Sequence, residues 1–333
     1  MKEKIELEIS AWTIAKIILV LVGIYFLFFV REIILLLFFV FILVSTFSPV
    51  VNKWEKKIKR IPSVIALVLI GLVLIGFFIY IVVPPLVDQF KQFINNLPNI
   101  VEFFKQYFSA GTVLGDNITS LTKNIGDYTS SFLSITINIF GGIFTFFMAI
   151  ILTIYLLIDQ KSFSEFFISI VPERKKDAAI NVIKKISSKV GDWFRGQMIL
   201  CLIIGVLDFI GLFAIGVPYA LALAVISGVL EIIPTIGPFI AGLIAIVIAL
   251  TVSPLTALLV LIFYVIIQQL ENTIIVPSVM KKAVGLSPVI IIIAVLIGAK
   301  LLGFVGALVA VPVAASISVI IREWNSIRSI TAK

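Results

Sequence analysis

The stretch EIIPTIGPFIAG, residues 231–242, lies within about thirty otherwise apolar residues, yet it carries a carboxylate, two prolines and two glycines. Proline removes a backbone donor and leaves a carbonyl unpaired, and glycine permits close backbone approach. Backbone freed in this way is tolerated at membrane depth only where it is buried in protein or lines a wet cavity. Glu231 beside the break would cost several kcal/mol in lipid unless paired, protonated or hydrated. Two readings follow: an ion or substrate cradle, or a hinge whose glutamate snorkels to the bilayer surface.

The surrounding composition makes membrane depth the right frame. Hydrophobic residues make up 61% of the 333, charged residues 13%, and the mean hydropathy is +1.22. That leaves too little polar surface to coat a soluble core of this size. The long apolar runs do not alternate with polar residues, so they predict helices rather than barrel strands. The mixed-charge start MKEKIELEIS leads into a run too long for a signal-peptide core, so the first span is read as retained. The single cysteine, Cys201, excludes an intramolecular disulfide and reads as a packing residue. Histidine is absent, which removes the commonest proton shuttle, the commonest metal ligand and the Ser-His and Cys-His dyads. Asp208 has no GxGD-type partner and no Gly-rich Lys-Ser/Thr loop is present, so no catalytic residue, metal or cofactor is assigned and the chain is not read as an enzyme. The net charge of +8 comes from Lys and Arg beside apolar spans, where they contact anionic lipid; nucleic acid is not required.

Apolar runs at Ala11–Val30, Ile33–Val51, Pro62–Val83, Ile135–Ile158 and Met198–Gly216 are of crossing length. The five basic residues of KWEKKIKR, Lys53 to Arg60, place that loop and both termini in the cytoplasm. The chain thus divides into N-terminal spans (1–83), an outer segment (84–134), a span with an inner segment (135–197) and a core (198–333). The outer segment repeats Leu86, Phe90, Phe93, Ile94 and Leu97 at helical spacing, and the inner one repeats Val182, Ile186, Val190, Trp193 and Phe194 with Lys184, Lys185 and Lys189 turned away. Both predict amphipathic helices that brace the spans or meet a second subunit.

The core contains two interrupted runs, 219–252 and 288–321, each following one unbroken span. The first reads Pro218, nine residues, Gly228, eight residues, Gly237; the second reads Pro288, nine residues, Gly298, seven residues, Gly306. Span parity makes the first enter from outside and the second from inside, as in the inverted repeats of secondary transporters. The expected fold is all-α and polytopic, with about eight membrane elements including two broken hairpins, either re-entrant or fully crossing. Their tips are expected to meet near the midplane, with Glu231 paired to Lys300 of the second tip; the alternative is that Lys300 snorkels to the interface. Asp208 sits inside a span, either as a coupling carboxylate or as a hydrated residue near its outer end. Gln268, Gln269, Glu271 and Asn272 occupy successive faces of a helix end, so one or two can line a pathway and the rest cap it.

The motifs EIIPTIGP (231–238), QQLENTIIVPSVM (268–280), GLSPVI (285–290) and GAKLLGFVGALVAVP (298–312) resemble the autoinducer-2 exporter family. The resemblance extends along the chain in its spacing of spans and loops. It implies a homo-oligomer, pentameric by likeness, and either export of a small polar solute such as the furanosyl signal or sodium/proton exchange. Carried onto this chain, its motif positions are Glu231, Pro234, Gly237, Pro238, Gln269, Glu271, Pro277, Gly285, Pro288, Gly298, Gly303 and Gly306. The expected function is a secondary transporter driven by an ion gradient and working by alternating access, with an oligomeric channel as the alternative. Its expected partners are a small polar solute or a monovalent cation or proton, together with the lipid bilayer.

Overall fold

The computed structural model describes residues 11–107, 145, 147–160, 169, 171–173, 176–280 and 285–329. Much of the outer segment and the start of the fourth span, with the expectations placed on them, lie outside the described residues. Among the described residues every regular element is a helix: α1 (Ala11–Phe29), α2 (Arg31–Ile58), α3 (Arg60–Tyr107), α4 (Phe147–Ile158), α5 (Lys176–Ile215), α6 (Ala220–Leu230), α7 (Ile236–Leu250), α8 (Pro254–Leu270), α9 (Val276–Val279) and α10 (Pro288–Ser329). A single π turn, Glu271–Ile275, joins α8 to α9.

Two helices run on where the sequence suggests a change of environment. The helix α3 passes through Pro84 and Pro85, where the third span was expected to end. A proline costs ~3 kcal/mol inside a helix because a carbonyl loses its partner. At the edge of the bilayer water can take that place, so the amphipathic segment fuses to the span. The stripe of residues 182–194 likewise belongs to α5 itself, which continues without a break into the predicted span at Met198. Val190, Trp193 and Phe194 are buried, while Lys184 and Lys185 are exposed.

Helix ends follow local chemistry. Gly216, at φ 82°, closes α5: its N–H donates to Phe213 O at 3.1 Å, and the Val217 N–H donates to Leu212 O at 2.9 Å. That is a Schellman turn, in which glycine takes the left-handed position. Ser253 caps α8, its hydroxyl accepting from the Thr256 N–H at 3.0 Å ahead of Pro254 at the first helical position. The Gln89 side-chain carbonyl of α3 accepts from the Ala222 N–H at 3.0 Å, so the long helix caps the first turn of α6.

Both interrupted runs are hairpins. In the first, α6 and α7 are joined by the turn Glu231–Thr235, and a Cβ on Gly237 would overlap the Leu230 carbonyl. In the second, Leu302 (φ −140°, ψ 16°) and Gly303 (φ 61°, ψ −143°) break α10. Beyond the break its limbs fold together: Gly298 and Gly306 face each other so closely that a Cβ on either would strike the other's carbonyl. Only glycine permits that approach.

Three apolar clusters hold the bundle. One joins Ile42 of α2, Trp193 and Phe194 of α5, Ile233 of the first turn, and Val295 and Val311 of the second hairpin. Another gathers Leu212, Leu223, Ala245 and Val260 at the opposite end of α5. The third packs Val51, Val64 and Leu157 beside Arg60, which donates to Leu157 O and Gln160 Oε1, each at 2.6 Å, and pairs with Glu55 at 2.8 Å. Outward faces, by contrast, are apolar and exposed, as lipid contact requires: Leu72, Phe77, Leu202, Phe213 and Leu255 are among them.

Candidate functional site

The centre of the core is a crossing of α5 and α6 governed by small residues. A Cβ on Gly228 would stand 2.9 Å from the Cys201 carbonyl, and one on Gly205 would stand 3.4 Å from the Ala224 carbonyl. The helices therefore meet backbone to backbone, the packing that small-xxx-small patterns allow in membranes. This closeness brings Asp208 to Ser227, whose hydroxyl donates to Asp208 Oδ2. Both residues are 0% exposed. The Tyr264 hydroxyl of α8 stands against the same pair without closing a geometric hydrogen bond, and neither it nor Asp208 Oδ1 has another partner. Gly242 of α7 makes room for the tyrosine ring, since a Cβ there would be 3.1 Å from Tyr264 Cδ1.

The α5–α6 register then sets the depth of Glu231. Cys201 against Gly228, and Gly205 against Ala224, carry α6 antiparallel along α5 until its last residues reach Gln197. The first tip thus stands level with Gln197–Cys201, about 15–19 residues or ~22–28 Å from Gly216 at 1.5 Å per residue. Along α5 it stands level with the first residues of the predicted span Met198–Gly216. The break frees carbonyls at the end of α6, and the Gln197 amide donates to that of Glu231. The Glu231 side chain is 1% exposed, and its Oε2 has no hydrogen-bond partner.

The expected Glu231–Lys300 ion pair is not formed. Lys300 is exposed on the first limb of α10, whereas Glu231 is enclosed by α5 and its own hairpin. What faces Glu231 is a second carboxylate. Glu271 opens the π turn, 5% exposed, and accepts from Gln268 Nε2 at 3.3 Å. Gln268, three residues earlier on the same helix face, is half-buried with Glu271, while Gln269 and Asn272 are exposed. The charges of Asp208, Glu231 and Glu271 lie within electrostatic reach of one another. Among the described residues no three His, Cys, Asp or Glu side chains converge at metal-ligand spacing.

A cavity of about 280 Å³ is lined by Glu231 and Glu271. Glu231 and Pro234 of the first tip, Glu271 and Pro277 beside the π turn, and Trp193 and Gln197 of α5 line it. Leu200, Val276, Met280, Leu286 and Ile291 add apolar lining, together with Gly285. Lys189 Nζ stands 3.8 Å from where a Cβ on the lining residue Gly285 would be. Of the other residues singled out in the sequence, Gly237 and Pro238 are buried behind the tip, and Gly298, Gly303 and Gly306 shape the second hairpin away from the cavity. Ser227, Tyr264, Trp193 and Gln197 were not anticipated as site residues. The first had a readable signal, because CLIIG at 201–205 and AVISG at 224–228 are both small-xxx-small segments.

Residues 14–326 match the profile of the AI-2E family transporter. The chain belongs to that family. Among similar proteins, YueF of Bacillus subtilis, named as a transport protein, is 29% identical over 82% of this chain and 79% of its own length. YrrI of the same organism, likewise named, is 27% identical over 84% and 83%. PerM of Escherichia coli, named as a permease, is 25% identical over 79% and 78%. With the apolar helices, this family membership gives a multi-pass membrane protein with a role in transport.

Proposed function

We propose that this AI-2E family member is a secondary transporter that couples a monovalent cation or proton to the export of a small polar solute. The observation that carries the reading is Glu231, a buried carboxylate with an unpartnered oxygen at the tip of a broken hairpin, lining a cavity with Glu271. The cavity holds the solute. The Asp208–Ser227–Tyr264 node, one helix crossing away, holds the coupling ion. A cation there changes the field at Glu231 and Glu271, so the two sites cannot fill independently. In alternating access the hairpins shift against α5, and the orientation set by the basic loops makes the cavity face the cytoplasm, with both termini inside. The furanosyl signal can donate hydroxyls to the two carboxylates; sodium/proton exchange alone needs only the acids. We assign transport to a homo-oligomer, with the exposed apolar faces shared between lipid and neighbouring subunits.

The test uses the full chain in proteoliposomes carrying an internal pH dye. An imposed sodium gradient is expected to drive saturable proton movement, abolished by Asp208→Asn and by Glu231→Gln in protein that still elutes as the wild-type oligomer. Unitary current steps without saturation would replace the carrier by a channel. Flux unchanged in both variants would remove the acids from the pathway.

A further inference from the structure

We infer that the cavity between the first hairpin tip and the π turn selects an amphiphilic ammonium: a small organic molecule with a protonated amine or quaternary nitrogen on an apolar body. This rests on the transporter reading and names its substrate class. At about 280 Å³ the cavity is near the lower end of small-molecule sites, ~300–1,000 Å³. A bare inorganic cation would occupy one corner and leave the wall of Leu200, Val276, Leu286 and Ile291 unused. Such an ion also asks for many oxygen ligands, whereas most of the residues lining this cavity are apolar.

The polar contribution is one-signed. Glu231 and Glu271 present carboxylates, and the Gln197 amide is already engaged on the Glu231 carbonyl. The lining residues described include two acids and no Lys or Arg, so the lining itself favours a cationic solute over an anionic one. A neutral polyol such as the furanosyl signal can donate to the two carboxylates, but its remaining hydroxyls would meet aliphatic side chains and stay unbonded, at a cost of ~1–3 kcal/mol each. An ammonium head instead supplies the charge and donors that Glu231 Oε2 lacks. The apolar body meets the aliphatic lining residues, and Trp193 offers the aromatic surface that favours cations. Met280 adds a deformable sulfur contact suited to bodies of varied shape.

The test is calorimetric titration of the purified full chain in detergent, with empty micelles subtracted, using phenethylammonium, its neutral counterpart 2-phenylethanol, and sodium chloride. Phenethylammonium is expected to bind at least ~10-fold more tightly than 2-phenylethanol. Glu231→Gln and Glu271→Gln are each expected to weaken the amine by a similar factor without changing the alcohol. The two ligands compared on the wild-type chain keep the test decisive if a variant fails to assemble. Equal affinity for both ligands, or no saturable heat from the amine, overturns the inference. If sodium-driven proton exchange persists in proteoliposomes in that event, the transporter reading stands and only the substrate class falls. Absence of both binding and exchange removes the two together.

Discussion

Ser227→Ala isolates the bond on which the buried acid depends. Asp208 is 0% exposed, its Oδ1 is unpartnered, and Ser227 supplies the hydrogen bond to Oδ2. Alanine fits the space of serine, so the perturbation is loss of one donor with little repacking. A hydrogen bond to an ionised group contributes ~1.5–3 kcal/mol and a neutral one ~0.5–1.5 kcal/mol. The measurement is a double-mutant cycle of Ser227→Ala with Asp208→Ala, which removes the acceptor outright, read by reversible SDS unfolding of the full chain in mixed micelles. Coupling of ~2–3 kcal/mol is expected for an ionised Asp208 and ~1 kcal/mol for a neutral carboxyl, so its size reports the charge state. Tyr264 stands close enough to move onto the freed oxygen and mask part of the loss. The cycle is therefore repeated with Tyr264→Phe, where the coupling should rise. Values within ~0.5 kcal/mol of additivity in both backgrounds would refute the node, since that is the range shown by independent sites.

Three further outcomes follow from the same geometry. Gly205→Ala should be nearly silent because its Cβ meets ordinary contacts, whereas Gly228→Leu should separate α5 from α6, lower thermal stability in detergent by several degrees and abolish flux. Thr235, a β-branched residue held at φ 71°, carries strain of ~1–3 kcal/mol; Thr235→Gly should stabilise the folded chain by up to ~1 kcal/mol in SDS unfolding after the entropy of glycine is counted, and a loss of stability would contradict the strain. In a Cys201→Ala background, Asn117→Cys should react with an impermeant maleimide on intact cells and Lys176→Cys should not, with the reverse pattern overturning the orientation.

The two hairpins were legible because their breaks are written in residue types with one backbone consequence: Pro234, Gly237 and Gly303 leave a helix few ways to continue. Depth was not legible. The length of α6 says how far the hairpin extends from its own base, but its level against α5 depends on register, which Gly205 and Gly228 fix through contacts with the partner backbone. The same holds for Glu231 and Lys300. Opposite charges on two tips suggest a pair, yet with Gly298 packed on Gly306 and the first tip held at Gln197, Lys300 stays exposed while Glu231 is enclosed. Glu271 could be listed among four polar neighbours but not chosen, because which face of this helix end is buried depends on its packing against the rest of the core, which the sequence does not state.

The missing lysine sharpens the transport argument. A Glu231–Lys300 pair would satisfy the carboxylate within the protein, so a solute would have to compete with a tethered ammonium before binding. An enclosed carboxylate with an unpartnered oxygen works in the opposite sense: any cation that reaches it relieves a cost of at least ~1–3 kcal/mol. That relief depends on the arrangement of the hairpins, because Glu231 caps α6 at the turn and Glu271 opens the π turn beside it. Moving either element changes which oxygens face the cavity. Occupancy is then linked to hairpin position by the same ~1–3 kcal/mol, a ~5–150-fold shift in the equilibrium between arrangements. Asp208 lies within electrostatic reach of both glutamates, so an ion at the Ser227–Tyr264 node biases that equilibrium without touching the solute. Coupling on this scale is lost where a tethered lysine neutralises the acids, and Lys300, exposed on the second hairpin, does not do so.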